Sequence, residues 1–200
     1  ALSYRYPYFS GDYQDVYCTN EILGKINFIK IVPPEWNLNG YNITLKMDNK
    51  GNVEGTTRGY YTGDYEAHLR LFYSYYQDEI TRQQIFQNMI NRMSPGGKLL
   101  SKKVGEIRDL SVPFTLEYSY FLPEYSLKTG NLMIFNLPGL DYDFREIALA
   151  KRNYDIEYTD YPSRQTKHKI ELTLPDGYKL LYCPCLLYTS DAADEGLGVD

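Results

Sequence analysis

The segment YNITLKMDNKGNVEGTTRGYY, residues 41–61, contains the clearest structural pattern in the sequence. From Tyr41 to Met47 apolar side chains occupy every second position, which is the period of a strand with one face buried. Residues 48–52 supply Asp, Asn and Gly, the residues that favour a tight turn, and a second extended segment runs from Val53 to Tyr61. The stretch therefore predicts an antiparallel β-hairpin.

A helical pattern follows the hairpin over residues 63–92. Asp64 is the expected N-cap of a first helix, in which Ala67, Leu69, Leu71 and Phe72 have helix-compatible spacing. The second helix has one apolar face, formed by Ile80, Ile85, Phe86, Met89 and Ile90. The residues Ser94-Pro95-Gly96-Gly97 end it. We expect two helices with a break near Gln77-Asp78.

Strand patterns dominate from residue 99 onward. They cover residues 99–107, 113–122, 131–136, 152–158, 166–174 and 178–183. Prolines at positions 123, 138, 162 and 175 separate them. The sequence therefore predicts an α+β fold that is mostly β, with antiparallel, sandwich-like sheets and a pair of helices inserted around residues 63–93.

Tyrosine is over-represented, with 22 of the 200 residues against 8 Phe and 1 Trp. Tyrosine suits a strand, where the ring packs on the pleated surface and the hydroxyl reaches water. It also suits binding surfaces, so the composition alone does not separate a sheet protein from a ligand-binding one. Because the tyrosines are spread along the chain, the first interpretation is favoured.

The charge pattern argues against nucleic acid as a partner, and the hydropathy pattern argues against a membrane span. The net charge is −5 and no dense Lys/Arg patch is present, so nucleic acid is not an expected partner. The longest basic cluster, Lys167-His168-Lys169, lies in an alternating pattern that predicts a solvated strand face. No apolar run in the sequence is long enough to cross a bilayer, so we expect no membrane span.

The sequence contains cysteine and histidine residues that could act in catalysis, but none of them lies in a recognisable catalytic motif. Nucleophilic catalysis needs an activated thiol or hydroxyl beside a base, and the candidates are Cys18 and Cys183 with His68 and His168. A Cys18–His68 dyad is conceivable, but neither cysteine lies in a strand-to-helix turn or at an obvious helix N-terminus that would lower its pKa. Histidine within the first predicted helix is more often a packed or surface residue.

Acidic pairs are the other candidates. Asp141 with Asp143, and Asp155 with Glu157, would each place two carboxylates on one side of an extended chain, as paired acids do in glycosidases. Alternating acids on a strand are more often a solvated face. The turn at 48–52 resembles half a calcium loop, but the twelfth position is Gly59 and not a glutamate. We therefore assign no catalytic, cofactor-binding or metal-binding residue and no cofactor.

The last residues have an unusual composition. Residues 185–195 read CLLYTSDAADE and resemble one reading frame of a sequencing adaptor, a contaminant of metagenomic gene sequences. We therefore expect residues 185–200 to be a non-native tail. On this interpretation Cys183-Pro184-Cys185 is not a redox or metal motif.

Several short segments, taken in order, resemble one family. They are residues 47–55, residues 61–67 with Arg70, and then residues 108–113, 152–158 and 174–178 with Pro184. Over about residues 20–184 the chain resembles the C-terminal part of bacterial transglutaminase-like proteins, which have an N-terminal β domain of unknown function before a papain-like core. The resemblance implies that a Cys-His-Asp triad lies upstream, and no residue of this chain matches a member of that triad.

The resemblance implies the following organisation. Residues 1–37 are a linker or edge segment after a missing upstream domain, and residues 38–184 are a β-rich accessory region with a helical insertion. The fragment itself is then not an enzyme; its partner is the upstream catalytic domain of the same chain, and its location is the periplasm or cell envelope. The alternative is a free-standing β module that binds a carbohydrate or a peptide. The accessory region would either pack against the catalytic core or present a Tyr-lined surface to a peptide or glycan. The free-standing module would present a contiguous exposed row of tyrosines.

Overall fold

The hairpin of residues 41–61 lies at the centre of a mixed sheet. The computed structural model describes residues 16–20, 22, 24–29, 33–137 and 164–182. Within this part the strands are β1 (Val16–Asn20), β2 (Lys25–Ile29), β3 (Leu38–Met47), β4 (Val53–Tyr61), β5 (Lys98–Val104), β6 (Thr115–Leu122), β7 (Leu127–Thr129), β8 (Leu132–Ile134) and β9 (Gln165–Thr173). The helices are α1 (Gly63–Tyr75) and α2 (Glu79–Met93).

The main sheet has the strand order β5-β6-β4-β3-β9, and β1–β2 and β7–β8 form two small hairpins. This architecture confirms an α+β fold that is mostly β, with two helices inserted where the sequence predicts them. One strand departs from the expected antiparallel arrangement, because β9 pairs with β3 in parallel. Alternating apolar residues mark a half-buried strand but not its direction, so the sequence pattern does not distinguish the two arrangements.

The turn between β3 and β4 forms as predicted. The Oδ1 atom of Asp48 accepts hydrogen bonds from the backbone N–H groups of Lys50, at 2.8 Å, and Asn52, at 2.9 Å. Gly51 has φ +84°, a conformation in which glycine carries no steric penalty. The Asp48 carboxylate therefore serves as a turn acceptor, and the hydrogen bonds that it accepts lower its pKa, that from the Asn52 side chain most of all.

The two helices begin at different kinds of cap. Asp78 is the N-cap of α2 and accepts a hydrogen bond from the Thr81 N–H at 2.7 Å, so the predicted break near this residue is confirmed. The prediction that Asp64 caps α1 is wrong, because Thr62 is the N-cap and Asp64 lies in the first turn. The Asp64 backbone N–H donates instead to Asn37 Oδ1 at 2.9 Å, which ties the start of α1 to the chain before β3.

The helices cover one face of the sheet. This face carries the buried side chains of β3, β4 and β6, namely Ile43, Leu45, Met47, Val53, Tyr61, Leu116, Tyr118, Tyr120 and Leu122. Phe86 of α2 packs against Tyr118, with ring centroids 5.4 Å apart, and also against Tyr73 of α1. Burial raises the pKa of Tyr118 and raises that of Tyr73 to about 12. These tyrosines are core residues.

The remaining predicted segments can be compared with the observed strands. The predicted strands at 99–107, 113–122, 131–136 and 166–174 correspond to β5, β6, β8 and β9. Residues 178–182 form no strand, although the sequence predicts one over 178–183. The predicted strand at 152–158 lies outside the described residues. The segment 1–37 contains the β1–β2 hairpin, so this part of the predicted linker or edge segment has strand structure.

Candidate interaction site

Helix α1 has two faces of different chemistry. Its inward face is buried and includes Glu66, Ala67, Arg70 and Tyr73. A helix packed on a sheet normally presents an apolar stripe to the core. Here Glu66 and Arg70 are charged and buried, so their charges must be satisfied within the protein.

Arg70 and Glu66 satisfy each other. The Nη2 and Nε atoms of Arg70 donate to Glu66 Oε1 at 2.7 Å and 3.0 Å, and both side chains are 1% exposed. The backbone N–H of Phe114 donates to the same carboxylate oxygen at 3.3 Å. The guanidinium also lies 5.5 Å from the Phe114 ring centroid, within the range of a cation–π contact. The pair therefore joins α1 to the start of β6.

The remaining donors of Arg70 hold the loop between β5 and β6. Nη1 donates to the carbonyls of Glu106, at 2.7 Å, and Ile107, at 2.9 Å, and Nη2 donates to that of Val112 at 2.6 Å. One side chain thus organises a loop that has no regular structure of its own. Arg70 and Val112, which are 42 residues apart in the sequence, meet at this contact.

The outward face of α1 is apolar toward the C-terminal end of the helix. Leu71, Phe72 and Tyr75 are 39%, 40% and 75% exposed, and Tyr76, just after the helix, is 41% exposed. We call these four residues the outer stripe. Residues 68, 71, 72 and 75 follow the i, i+3, i+4, i+7 spacing of a single helix face. The Phe72 and Tyr76 rings pack together, with centroids 4.7 Å apart. The spacing of these residues in the sequence predicts that they share one helix face, but it does not predict whether that face is turned toward the core.

A depression of about 310 Å³ lies beside the end of the outer stripe. Its lining comprises Ser74, Gln77, Arg82, Val104, Gly105, Glu106, Ile107 and Arg108. Arg82 is held at its margin because its Nε atom donates to the Tyr76 carbonyl at 2.8 Å. Glu106 accepts a hydrogen bond from the Arg108 N–H, which lowers the pKa of this carboxyl. The site thus combines an aromatic surface with a polar hollow that contains two arginines.

His68 lies at the other end of the same outward face. Its Nδ1 atom is 2.7 Å from Asp64 Oδ1 and 2.9 Å from the Asp64 carbonyl oxygen. Both neighbours are acceptors, so Nδ1 carries the proton in either charge state and Nε2 is the basic nitrogen of the neutral ring. Arg164 also contacts the Asp64 carboxylate, at 3.3 Å. In the described part of the chain no Ser, Thr or Cys side chain is hydrogen bonded to His68.

The other candidate residues are not brought together. Cys18 belongs to β1, and Cys183 lies outside the described residues, as do the acidic pairs at 141 and 143 and at 155 and 157. His168 lies on β9 and packs edge-on against Tyr41, with ring centroids 5.2 Å apart, on the side of the sheet that carries the core. The predicted solvated face of the Lys167–Lys169 segment is formed by the two exposed lysines.

Two absences hold for the described residues. They contain no group of three or more His, Cys, Asp or Glu side chains placed to hold a metal ion. Neither described helix has the length and apolar character needed to cross a membrane.

The chain has no match among known proteins in three comparisons. Family models, curated proteins and solved structures all give none.

Proposed function

We propose that this chain is a non-catalytic accessory region of a bacterial transglutaminase-like protein and that its outer stripe packs against the upstream catalytic domain of the same protein. The ordered segments of the sequence resemblance support the family. Two of those segments, residues 61–67 with Arg70 and residues 108–113, meet at Arg70, which gives them a structural reason to occur together. The same resemblance supports a periplasmic or cell-envelope location.

The outer stripe is the observation that carries this proposal. Aromatic and large apolar side chains are enriched at the centres of protein interfaces. The stripe places three such residues on one helix face and a fourth beyond its end, and Tyr75 is 75% exposed. Ile80, at the start of α2, is another large apolar residue with 72% of its area exposed. Exposed apolar residues grouped on one helix face in this way are typical of a contact surface.

The arginines at the depression beside the outer stripe favour a partner surface that carries negative charge. Arg108 is exposed at its margin, and Arg82 lines it while hydrogen bonded to the Tyr76 carbonyl. A complementary surface would therefore be apolar opposite the stripe and would carry a carboxylate opposite the arginines. The upstream domain is expected to present such a surface.

The absence of catalysis in this region is part of the proposal. His68 has the carboxylate partner that orients a general base, but its neighbours in the described residues include no hydrogen-bonded nucleophile. The outward position of the ring, 67% exposed, fits a solvated residue at the edge of an interface.

Recovery of the upstream reading frame and a calorimetric titration test the proposal. The frame is expected to encode a Cys-His-Asp domain, and that domain is expected to bind this chain. Leu71→Ser with Tyr75→Ser should weaken binding by about tenfold or more, because each removes buried apolar area at the interface. Leu127→Ser with Tyr182→Ser is the matched control, since these residues are 68% and 78% exposed elsewhere. An upstream frame without the triad, or equal weakening by both pairs, would contradict the proposal.

A further inference from the structure

The sheet face opposite the helices is polar, and its charged residues are exposed. On each strand of the main sheet the residues that alternate with the core positions point to this side, which we call the outer sheet face. Its exposed charged residues are the cations Lys46, Arg58, Lys98, Lys103, Lys167 and Lys169 and the carboxylates Glu54, Glu117 and Glu171. Six cations and three carboxylates make this face basic, although the whole chain has a net charge of −5.

The positive charge is not fully paired within the face. Lys169 forms an ion pair with Glu171 at 2.7 Å. Glu117 lies between Arg58 and Lys103 in the strand register, and Lys46 is opposite Glu54. Lys98 and Lys167 form no ion pair with the described residues. The excess positive charge on one face of an acidic protein attracts an anionic ligand to that face.

An aromatic ring lies on the outer sheet face at Tyr60. Tyr60 is directly opposite Gly40 in the register, and its ring atoms occupy the position where a glycine Cβ would be. The ring therefore lies across the backbone of β3, and Tyr60 is half-buried as a result. An aromatic face held in this way offers a platform for the apolar CH face of a sugar ring.

A row of hydroxyl groups crosses the same face. Thr44, Thr56, Ser119 and Ser101 are cross-strand neighbours on four successive strands. The Ser101 and Ser119 hydroxyls are 2.6 Å apart. Neighbouring strands are about 4.8 Å apart, so the row repeats donors and acceptors at that interval across the sheet.

We propose that the outer sheet face binds an anionic polysaccharide of the polyuronate class. A sugar ring stacks on Tyr60, the hydroxyl row hydrogen bonds to the sugar hydroxyls, and Arg58, Lys98 and Lys167 meet the carboxylates. Sheet faces serve as saccharide-binding surfaces in other folds. Nucleic acid fits less well, because single-strand sites stack successive bases on several aromatic rings in a continuous basic groove. Here the outward-facing rings of the described main-sheet strands, Tyr60 and Phe121, lie at opposite ends of the β4–β6 ladder, and glutamates interrupt the cations.

Affinity electrophoresis in native gels cast with polygalacturonate tests the proposal. The protein should be retarded by polygalacturonate and not by neutral dextran or by poly(dT). Lys98→Glu with Lys167→Glu should weaken the affinity about tenfold or more. Lys50→Glu with Lys179→Glu changes the net charge equally at exposed positions off this face and should leave the retardation unchanged. Tyr60→Leu, which still covers Gly40, should weaken the affinity about three- to tenfold.

Each alternative outcome overturns the proposal. No retardation by polygalacturonate means that the face is not a polyuronate site. Equal weakening by the two lysine pairs means that the attraction is general to the protein surface. Stronger retardation by poly(dT) than by polygalacturonate assigns the face to nucleic acid. Circular dichroism of each variant confirms that the fold is retained.

Discussion

Arg70 Nη2 lies 2.7 Å from Glu66 Oε1 in the interior of the protein, and each side chain is 1% exposed. The same guanidinium donates to three backbone carbonyls of the loop between β5 and β6 at 2.9 Å or less. A buried charge of either sign is costly unless it is paired and hydrogen bonded. The Arg70–Glu66 pair therefore connects α1 with the loop and with the start of β6.

Arg70→Met should destabilise the protein by about 3–5 kcal/mol, because it leaves the Glu66 carboxylate buried without its partner. The loop carbonyls that accept from Arg70 lose their donors as well. The free energy of unfolding, measured by urea denaturation, reports the change. Arg92→Met, at an exposed position near the end of α2, should cost less than about 1 kcal/mol.

The double variant Arg70→Met/Glu66→Met separates pairing from packing. Replacing both members of a buried ion pair by apolar residues is often close to neutral, whereas removing one is costly. We therefore expect the double variant to be more stable than Arg70→Met alone. A double variant at least as unstable as the single one would show that the loop carbonyls, and not the lone carboxylate, carry the cost.

The buried tyrosines should make the protein sensitive to alkaline pH. The pKa of Tyr73 is raised from 10.0 to about 12 because burial disfavours the phenolate. A raised pKa of the folded state means that its contribution is fully present below pH 10 and is lost as the pH rises through 12. Tyr73→Phe should therefore lose less stability than the wild type between pH 9 and about 11.5.

Thermal unfolding followed by circular dichroism at successive pH values provides the measurement. Phe86→Leu is a control at a ring that packs on Tyr73, and it removes no titratable group. It should lower the Tm by a similar amount at every pH. Parallel losses for Tyr73→Phe and the wild type would contradict the link between the Tyr73 hydroxyl and alkaline sensitivity.

Gly51 should be the least replaceable residue of the β3–β4 turn. Its φ is +84°, and a Cβ at this position would meet the Ser126 hydroxyl. The left-handed conformation alone costs an alanine about 1–2 kcal/mol. Gly130→Ala is the matched control, because Gly130 has φ +58° but open space around it. Urea denaturation should show a larger loss for Gly51→Ala; equal losses would mean that the Ser126 contact is easily relieved.

The sequence predicted the hairpin, the helix pair and most strands of the sheet because these depend on local patterns. Alternation over residues 41–47 and turn chemistry at 48–52 act within a few residues of each other. The cap of α2 at Asp78 is equally local. These features carry the fold class, and their positions agree with the structure to within a few residues.

The remaining features depend on contacts between distant residues. The direction of β9 depends on its pairing with β3, more than a hundred residues earlier in the chain, and an alternating pattern is the same for either direction. Arg70 acquires its role from the loop at 106–112, which approaches it only in the folded chain. The exposed position of Leu71 and Phe72 depends on the buried ion pair on the opposite side of α1. The spacing of apolar residues identifies those that share a helix face, but it does not show whether that face packs against the core.

Covalent labelling of tyrosine side chains in the proposed longer protein, with its upstream domain, and in this chain tests most directly whether the outer stripe is an interface. Tyr75 and Tyr182 are 75% and 78% exposed, so hydroxyl radicals should modify both readily in the isolated chain. In the parent protein we expect strong protection of Tyr75, measured by mass spectrometry, and none of Tyr182. Equal modification of Tyr75 in the two proteins would contradict the proposed contact between the outer stripe and the upstream domain.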